Sequence, residues 1–405
     1  MVNPQRWRPA LGALTLAAML WALVAAPAGA SGGPGGITGS RDPIIPGQVI
    51  VRLHDAADLP ALAAQYQLEP TPIDGLSIEP LFLMRIADGA APETRAAALA
   101  TDSRVQYAES NVIGSSAEDQ GTVGWASGGG DATPYQTQWA PSVMRLPQAF
   151  TLTRGAGVTV AVLDTGVDAS HPSLASHLSE GYDFVDNDED PSEVGLPGVN
   201  PAYGHGTFVS GLVALAAPEA RIMPVRVLDP NGMGDVWRLA KAMVWAAANG
   251  ANVINLSLGT YTRTHVANEL ISGLATTGRG VVVVAAAGNA ASNLPQFPAG
   301  EGGARLLAVA ASTPIDTLAP FSDFGSWVDV AAPGAGIWST VPGGQYATWT
   351  GTSMASGLAS GDAALVRAAY PSMSAQTVIS RITGTARRIG GSVPLRIDAG
   401  NSVGR

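Results

Sequence analysis

The chain predicts an α/β protein: a doubly wound parallel sheet flanked by helices, preceded by a small α+β unit. Three observations carry that expectation. From about Tyr135 onward, short apolar runs without polar alternation recur between stretches of helical spacing. Strands buried on both faces read this way, and helices between them supply the cover for a parallel sheet. Residues 43–113 read differently, as three short strands and two short helices. Stretches rich in Gly, Ser and Ala, at 31–42 and 114–134, mark the boundaries.

In chain order, residues 1–30 read as an export signal. Arg6 and Arg8 precede the apolar run Leu11 to Ala26, and Ala28-Gly29-Ala30 supplies a small-residue cleavage site. An uncleaved membrane anchor is the alternative, but the run is short for a span and ends at Pro27. A linker, 31–42, follows. The small unit, 43–113, holds strands at Gln48–Leu53, Leu81–Ile86 and Val105–Glu109, with helices at Asp58–Tyr66 and Pro92–Thr101. Two helices on one face of a small sheet is the expected arrangement. Residues 114–134, with Gly128-Gly129-Gly130, lose all periodicity and read as an exposed linker open to proteolytic processing. The large domain, 135–405, offers strands at Val158–Leu163, Ile222–Leu228, Val253–Leu258, Val281–Ala287 and Leu306–Ala311. Its helices are expected at Gly206–Ala217, Val236–Asn249 and Val266–Thr277.

Composition narrows the function classes. With 405 residues, 46% hydrophobic and 13% charged, the chain can bury a large core. A net charge of −10 argues against nucleic acid or an anionic membrane as partner. There is no cysteine, which excludes disulfides, thiolate metal sites and a cysteine nucleophile.

Three glycine-rich motifs then supply different reactive groups. Leu163-Asp164-Thr165-Gly166 offers a carboxylate, Gly204-His205-Gly206-Thr207 an imidazole, and Gly351-Thr352-Ser353-Met354-Ala355 a hydroxyl. A serine hydroxyl is a weak nucleophile at neutral pH. It needs a base, and the base needs an anion to hold its tautomer. Taken singly, Asp164 reads as a turn or capping residue, His205 as an exposed turn histidine and Ser353 as an N-cap. In open parallel sheets, however, sites lie beyond the carboxyl ends of strands. Asp164, Asn289 and Ser257-Leu258-Gly259 all fall at such ends, and His205 and Ser353 stand where helices begin. All would share one rim of one sheet.

The order Asp, His, Ser in these motifs resembles the subtilisin-like serine proteases. The matching stretches are Val160 to Asp168, Gly204 to Gly211, Val253 to Gly259, Val284 to Asn289 and Gly351 to Ser356, within roughly residues 135–400. The resemblance implies a serine endopeptidase in which Ser353 attacks, His205 relays the proton and Asp164 orients the imidazole. Asn289 would donate to the oxyanion. Ser257, Leu258, Gly259, Ala287 and Gly288 would flank the pocket for the residue before the cut. These segments carry no charged side chain, so an apolar or broadly varied preference is expected. The small unit resembles an inhibitory propeptide, which would make the chain a self-inhibited zymogen.

Implied partners are protein or peptide substrates and the chain's own propeptide. No nucleic acid and no stable membrane association after signal removal are expected, and the destination is extracellular. The chemistry needs no cofactor. The acidic loop Asp183, Asp186, Asp188 and Asp190 resembles a calcium loop of thermitase type, with a solvated acidic turn as the alternative. Two departures stand out: Gly357 occupies a position where the family usually has proline, and Phe208 one where a second histidine is common. Two rival readings are a catalytically dead relative that binds peptides, and an esterase. The complete set of reactive residues opposes the first. The missing Gly-x-Ser-x-Gly elbow opposes the second.

Overall fold

In the computed structural model, β1 (Ile44–Leu53), β2 (Asp74–Leu76), β3 (Leu81–Arg85) and β4 (Val105–Ser116) form an antiparallel sheet in the order β4-β1-β3-β2. Helices α1 (Leu59–Gln65) and α2 (Pro92–Leu99) cover one face of it. Alternation in β1 explains this. Val49, Val51 and Leu53 pack with Leu59, Leu62, Ala96 and Leu99 in a small core, whereas Ile50 points the other way, into the large domain. The structure describes residues 42–76, 79–117, 126–390, 392, 393 and 395–404, all within one compact unit, Ser40–Arg405. The expected signal and the first linker lie outside the described residues, Asp42 excepted, as do residues 118–125 of the second linker.

The large domain begins with short elements, β5 (Ala126–Gly129), α3 (Thr133–Thr137), α4 (Trp139–Val143) and α5 (Leu146–Ala149). The main strands are β6 (Thr159–Asp164), β7 (Tyr182–Asp183) and β8 (Arg221–Arg226), then β9 (Met233–Asp235), β10 (Val253–Leu256), β11 (Leu258–Gly259), β12 (Val282–Ala286), β13 (Leu307–Ser312) and β14 (Val330–Pro333). After these come β15 (Ile337–Val341), β16 (Gln345–Trp349), β17 (Arg387–Arg388) and β18 (Leu395–Arg396). The long helices are α6 (His205–Ala216), α7 (Val236–Ala248), α8 (His265–Thr276), α9 (Thr352–Ala369) and α10 (Ala375–Thr385), and α11 (Ala399–Val403) closes the chain.

One nine-stranded sheet, ordered β17-β18-β14-β13-β12-β10-β6-β8-β7, forms the backbone of the domain, and only the β17–β18 pair is antiparallel. Its faces are buried against different helices. Val160, Val162, Val284 and Val309 meet α6 and α9, while Ala161, Leu163, Ile254 and Val283 meet α7 and α8. The doubly wound expectation therefore holds. From β6 the chain moves first towards β8 and later, through β10, towards β14. The order reverses beside the carboxyl end of β6, which is where α/β sheets open a crevice for ligands.

Residues 114–134 are not a featureless linker. Gly114 to Ser116 continue β4, pairing antiparallel with β9 on one side and β11 on the other. Ala126 to Gly129 pair with β16, and α3 follows. Local sequence carries no strand signal here because the partners are distant in the chain. Backbone hydrogen bonding to a waiting strand edge needs no side-chain pattern.

Candidate active site

Asp164 is the last residue of β6 and is buried with His205, the first residue of α6. His205 Nδ1 and Asp164 Oδ1 lie 2.6 Å apart, and the same oxygen accepts from the Thr165 N–H at 2.8 Å. Glycine makes this approach possible: a Cβ on Gly206 would overlap the Gly166 carbonyl. Across the ring, His205 meets Trp349 edge-on at 5.5 Å, and Phe208 meets the same indole at 5.6 Å. Phe208 is thus a packing residue against the indole that flanks the imidazole.

Ser353 is the second residue of α9, so its backbone N–H points out of the first turn of an 18-residue helix, where no carbonyl of the helix itself can accept it. Its Oγ donates to the Ser257 carbonyl at 3.5 Å, and the Ala117 N–H donates to that same oxygen at 3.3 Å. Asn289 stands just beyond β12. Its Oδ1 accepts from the Thr352 N–H at 2.9 Å and from Thr352 Oγ1 at 3.0 Å. Those two bonds turn the other end of the amide outward, and Nδ2 donates to the Ala117 carbonyl at 2.9 Å.

The chain's own segment therefore lies in the crevice as an added strand. Ser115 and Ser116 pair with Gly259 and Leu258, and the Ser116 N–H donates to the Gly232 carbonyl at 2.9 Å. Ala287 closes β12 onto β13, its N–H donating to Val309 at 2.9 Å, and the Gly288 N–H donates to Thr352 Oγ1 at 3.1 Å. All nine residues singled out in the sequence thus converge on one rim. Ala117, Thr352, Gln296 and Asp323 also belong there, and the sequence reading missed them. Gln296 and Asp323 come from loops seven and 34 residues beyond Asn289, and no periodicity marks them. Asp323 is buried, its Oδ1 accepts from the Ala290 and Ser292 N–H groups at 3.0 and 2.8 Å, and burial pushes its carboxyl up to about 6.

The acidic loop is arranged around an arginine. Arg226 Nη1 lies 2.5 Å from both Asp183 Oδ2 and Asp186 Oδ2. Asp183 Oδ1 accepts from the Val185 and Asp186 N–H groups at 2.6 and 3.0 Å, and Asp188 Oδ1 from the Asp190 N–H at 2.9 Å. A guanidinium already balances these carboxylates, and among the described residues no group of three or more His, Asp or Glu could hold a metal ion. Asp183 and Asp186 thus have a guanidinium as their counter-charge.

The small unit docks beside the crevice through an apolar cluster, in which Ile50, Leu81 and Val112 join Trp237, Leu239 and Val266, and through polar contacts. Glu109 accepts from the His265 and Val266 N–H groups at 2.6 and 2.9 Å, capping α8, which lacks a side-chain cap of its own. Asn111 accepts from the Trp237 N–H at 3.1 Å, and Lys241 donates to Asp74 at 2.6 Å. Tyr107 donates to Glu269 at 2.8 Å.

Comparison with known proteins agrees with this geometry. A family model described as the subtilase family matches residues 155–400. A thermophilic serine proteinase of Bacillus sp. (strain AK1) is 40% identical over 281 residues, covering 66% of this chain and 65% of that relative, so the match spans just under two thirds of its length. Thermitase of Thermoactinomyces vulgaris is 39% identical over 271 residues, covering 64% of this chain and 92% of thermitase. Among solved structures, fervidolysin from Fervidobacterium pennivorans, described as a keratinolytic enzyme related to subtilisin, superposes with a TM-score of 0.73 at 22% identity, covering 89% of this chain and 61% of fervidolysin; at that identity the likeness concerns the fold. A protease from Pseudoalteromonas arctica gives a TM-score of 0.60 at 30% identity, covering 67% of this chain and 97% of that one. The chain belongs to the subtilase family of subtilisin-type serine endopeptidases.

Proposed function

We propose that the chain is a secreted serine endopeptidase made as a self-inhibited zymogen, and that its first substrate is its own Ala117–Glu118 bond. The observation that carries this reading is the Ala117 carbonyl resting on Asn289 Nδ2 at 2.9 Å while the Ala117 N–H and the Ser353 hydroxyl share the Ser257 carbonyl. Residues 43–117 then act as the propeptide, and the cut frees residue 118 as the new N-terminus.

The Asp164–His205 pair holds a proton on Nδ1 and leaves Nε2 to act as base. Ser353 Oγ passes its proton to Nε2 and bonds to the carbonyl carbon. The carbonyl oxygen takes the charge and is held by Asn289 Nδ2 and the Ser353 N–H, at the positive end of α9. When the intermediate collapses, the carbon–nitrogen bond breaks and His205 gives its proton to the departing amine. Water, deprotonated by His205, then attacks the acyl-serine, and the collapse returns the proton to Ser353. Asp164 stabilises the imidazolium throughout and stays ionised. Each step uses protein groups and water alone, so the chemistry as proposed needs no cofactor. Substrates are protein or peptide chains bound as an added strand along β11, and the uncharged walls Ser257-Leu258-Gly259 and Ala287-Gly288 support an apolar or varied residue before the cut.

Labelling with a serine-reactive fluorophosphonate tests the reading. The wild type should label and hydrolyse casein, and Ser353→Ala should do neither. Labelling without casein hydrolysis would favour an esterase, and no labelling a dead, peptide-binding relative. Export is supported by the N-terminal pattern. Mass spectrometry of the medium should find a protein starting at residue 118, and retention of residues 1–117 on the secreted form would refute the processing scheme.

A further inference from the structure

The two walls of the pocket beneath Ala117 should enclose a space, and the side chain of Gln296 stands in it. Gln296 is 2% exposed. A Cβ built on Gly288 would lie 2.6 Å from Gln296 Cδ and 2.7 Å from Nε2. A Cβ on Gly259, in the opposite wall, would lie 3.2 Å from Gln296 Oε1 and 3.7 Å from its Cβ. The amide therefore bridges the gap between the walls, touching both. It is held there: Nε2 donates to Tyr261 Oη at 3.3 Å, and the next residue, Phe297, exchanges backbone hydrogen bonds with Thr260 at 2.8 and 2.7 Å. Asp323 Oδ2, buried and without a hydrogen-bond partner, reaches the same point beside Gly288.

We infer that Gln296 is the specificity-determining residue of this site, a plug that makes the pocket shallow and restricts the residue before the cut to small side chains, alanine and serine foremost. The inference rests on the protease reading and narrows its substrate class. Ala117, whose carbonyl is already on Asn289, carries only a methyl group and is itself 2% exposed. A leucine or phenylalanine in its place would have to expel the Gln296 amide from its buried seat or leave it unpaired. Stranding a buried amide typically costs about 1–3 kcal/mol, corresponding to roughly 5- to 150-fold in the ratio of kcat/KM values.

The test uses the mature secreted enzyme and six peptides that share Gly-Ser-Ser-X before the cut, with X as Ala, Ser, Leu, Phe, Gln or Arg. Wild type should favour Ala and Ser over Leu and Phe by about 30-fold or more in kcat/KM. Gln296→Gly should raise the Phe-to-Ala ratio by a similar factor. Gln296→Met, which keeps the volume, should retain the wild-type order, and it keeps the inference testable if the glycine variant fails to fold. Equal cleavage after Ala and Phe by the wild type overturns the inference, as does an unchanged ratio in Gln296→Gly. Dominant cleavage after Arg overturns it too, and would give the leading role to the Asp323 carboxylate. An enzyme that cleaves none of the six overturns the protease reading beneath it, a result distinct from cleaving all six alike.

Discussion

The two sheets of this molecule are held in place on different terms. Every residue of β10, β12, β13 and β14 is buried, and α6 to α9 close both faces with apolar side chains. The small sheet has a core of its own on one face, around Val49, Leu62 and Leu99. On its other face Ile50, Leu76, Leu81, Leu83 and Val112 share an apolar cluster with α7 and α8, and to this it adds contacts that water could replace: the Glu109 cap, the Lys241–Asp74 pair, and Tyr107 on Glu269. Burying apolar area without directionality suits a permanent core. The charged and capped contacts are the part of the small unit's grip that water can take over, as the proposed release of that unit would need. The shared strand β4 carries the chain from the small unit into the crevice, and the residue after it, Ala117, places its carbonyl on Asn289.

That contrast can be broken at several points. Ser353→Ala should join the two regions permanently. The Ala117–Glu118 bond should stay intact on a gel, with turnover down on the order of 10⁶-fold, the size known for the nucleophile of subtilisin itself. Asn289→Ala should slow both processing and casein hydrolysis by roughly 10²–10³-fold, again the magnitude known from subtilisin. Wild-type rates in either variant would dissolve the assignment.

Glu109→Ala acts on the grip alone. Removing a carboxylate that serves two backbone N–H groups should shorten the delay between the cut and the onset of casein hydrolysis by about tenfold. An unchanged delay would mean that apolar contact, such as Ile50, carries the docking.

A smaller effect belongs to the permanent core. Asp362 in α9 is fully buried, its Oδ1 accepts from Ser402 Oγ at 2.6 Å, and burial pushes its carboxyl up to about 7. The folded state holds this proton more tightly than the unfolded chain does. Stability from this group is therefore fullest below the ordinary carboxylate range and is lost as pH rises towards 7 and beyond. Asp362→Asn should raise the melting temperature at pH 8 by a few degrees and change it little at pH 4. The smallest expected effect is none at all: a chelator should leave the melting midpoint unchanged, because Arg226 already neutralises Asp183 and Asp186. A fall in the midpoint would restore the calcium loop.

Much of the large domain was legible because its strands are continuous apolar runs. Val158–Leu163 and Val281–Ala287 match β6 and β12 to within a residue at each end. The reactive residues were legible because each sits in a glycine-marked turn at a strand or helix end. Less visible were β14 to β16, since Val330 to Trp349 mixes Gly, Pro, Ser and Thr among its apolar residues. Gly114 to Ser116 gave no strand signal, because their pairing is supplied by β9 and β11. The partner of the acidic loop, Arg226, lies 40 residues beyond Asp186 and leaves no local mark on the loop's sequence.

From the sequence alone came the α/β class and the order of reactive groups. These follow from local periodicity and from residue types that only certain chemistry requires. Tertiary structure alone decided which stretch of chain lies along β11, which side chain stands between Gly259 and Gly288, and what balances the acidic loop. Each of these depends on residues brought together across long stretches of chain, where contact is made by packing and leaves no mark on neighbouring letters.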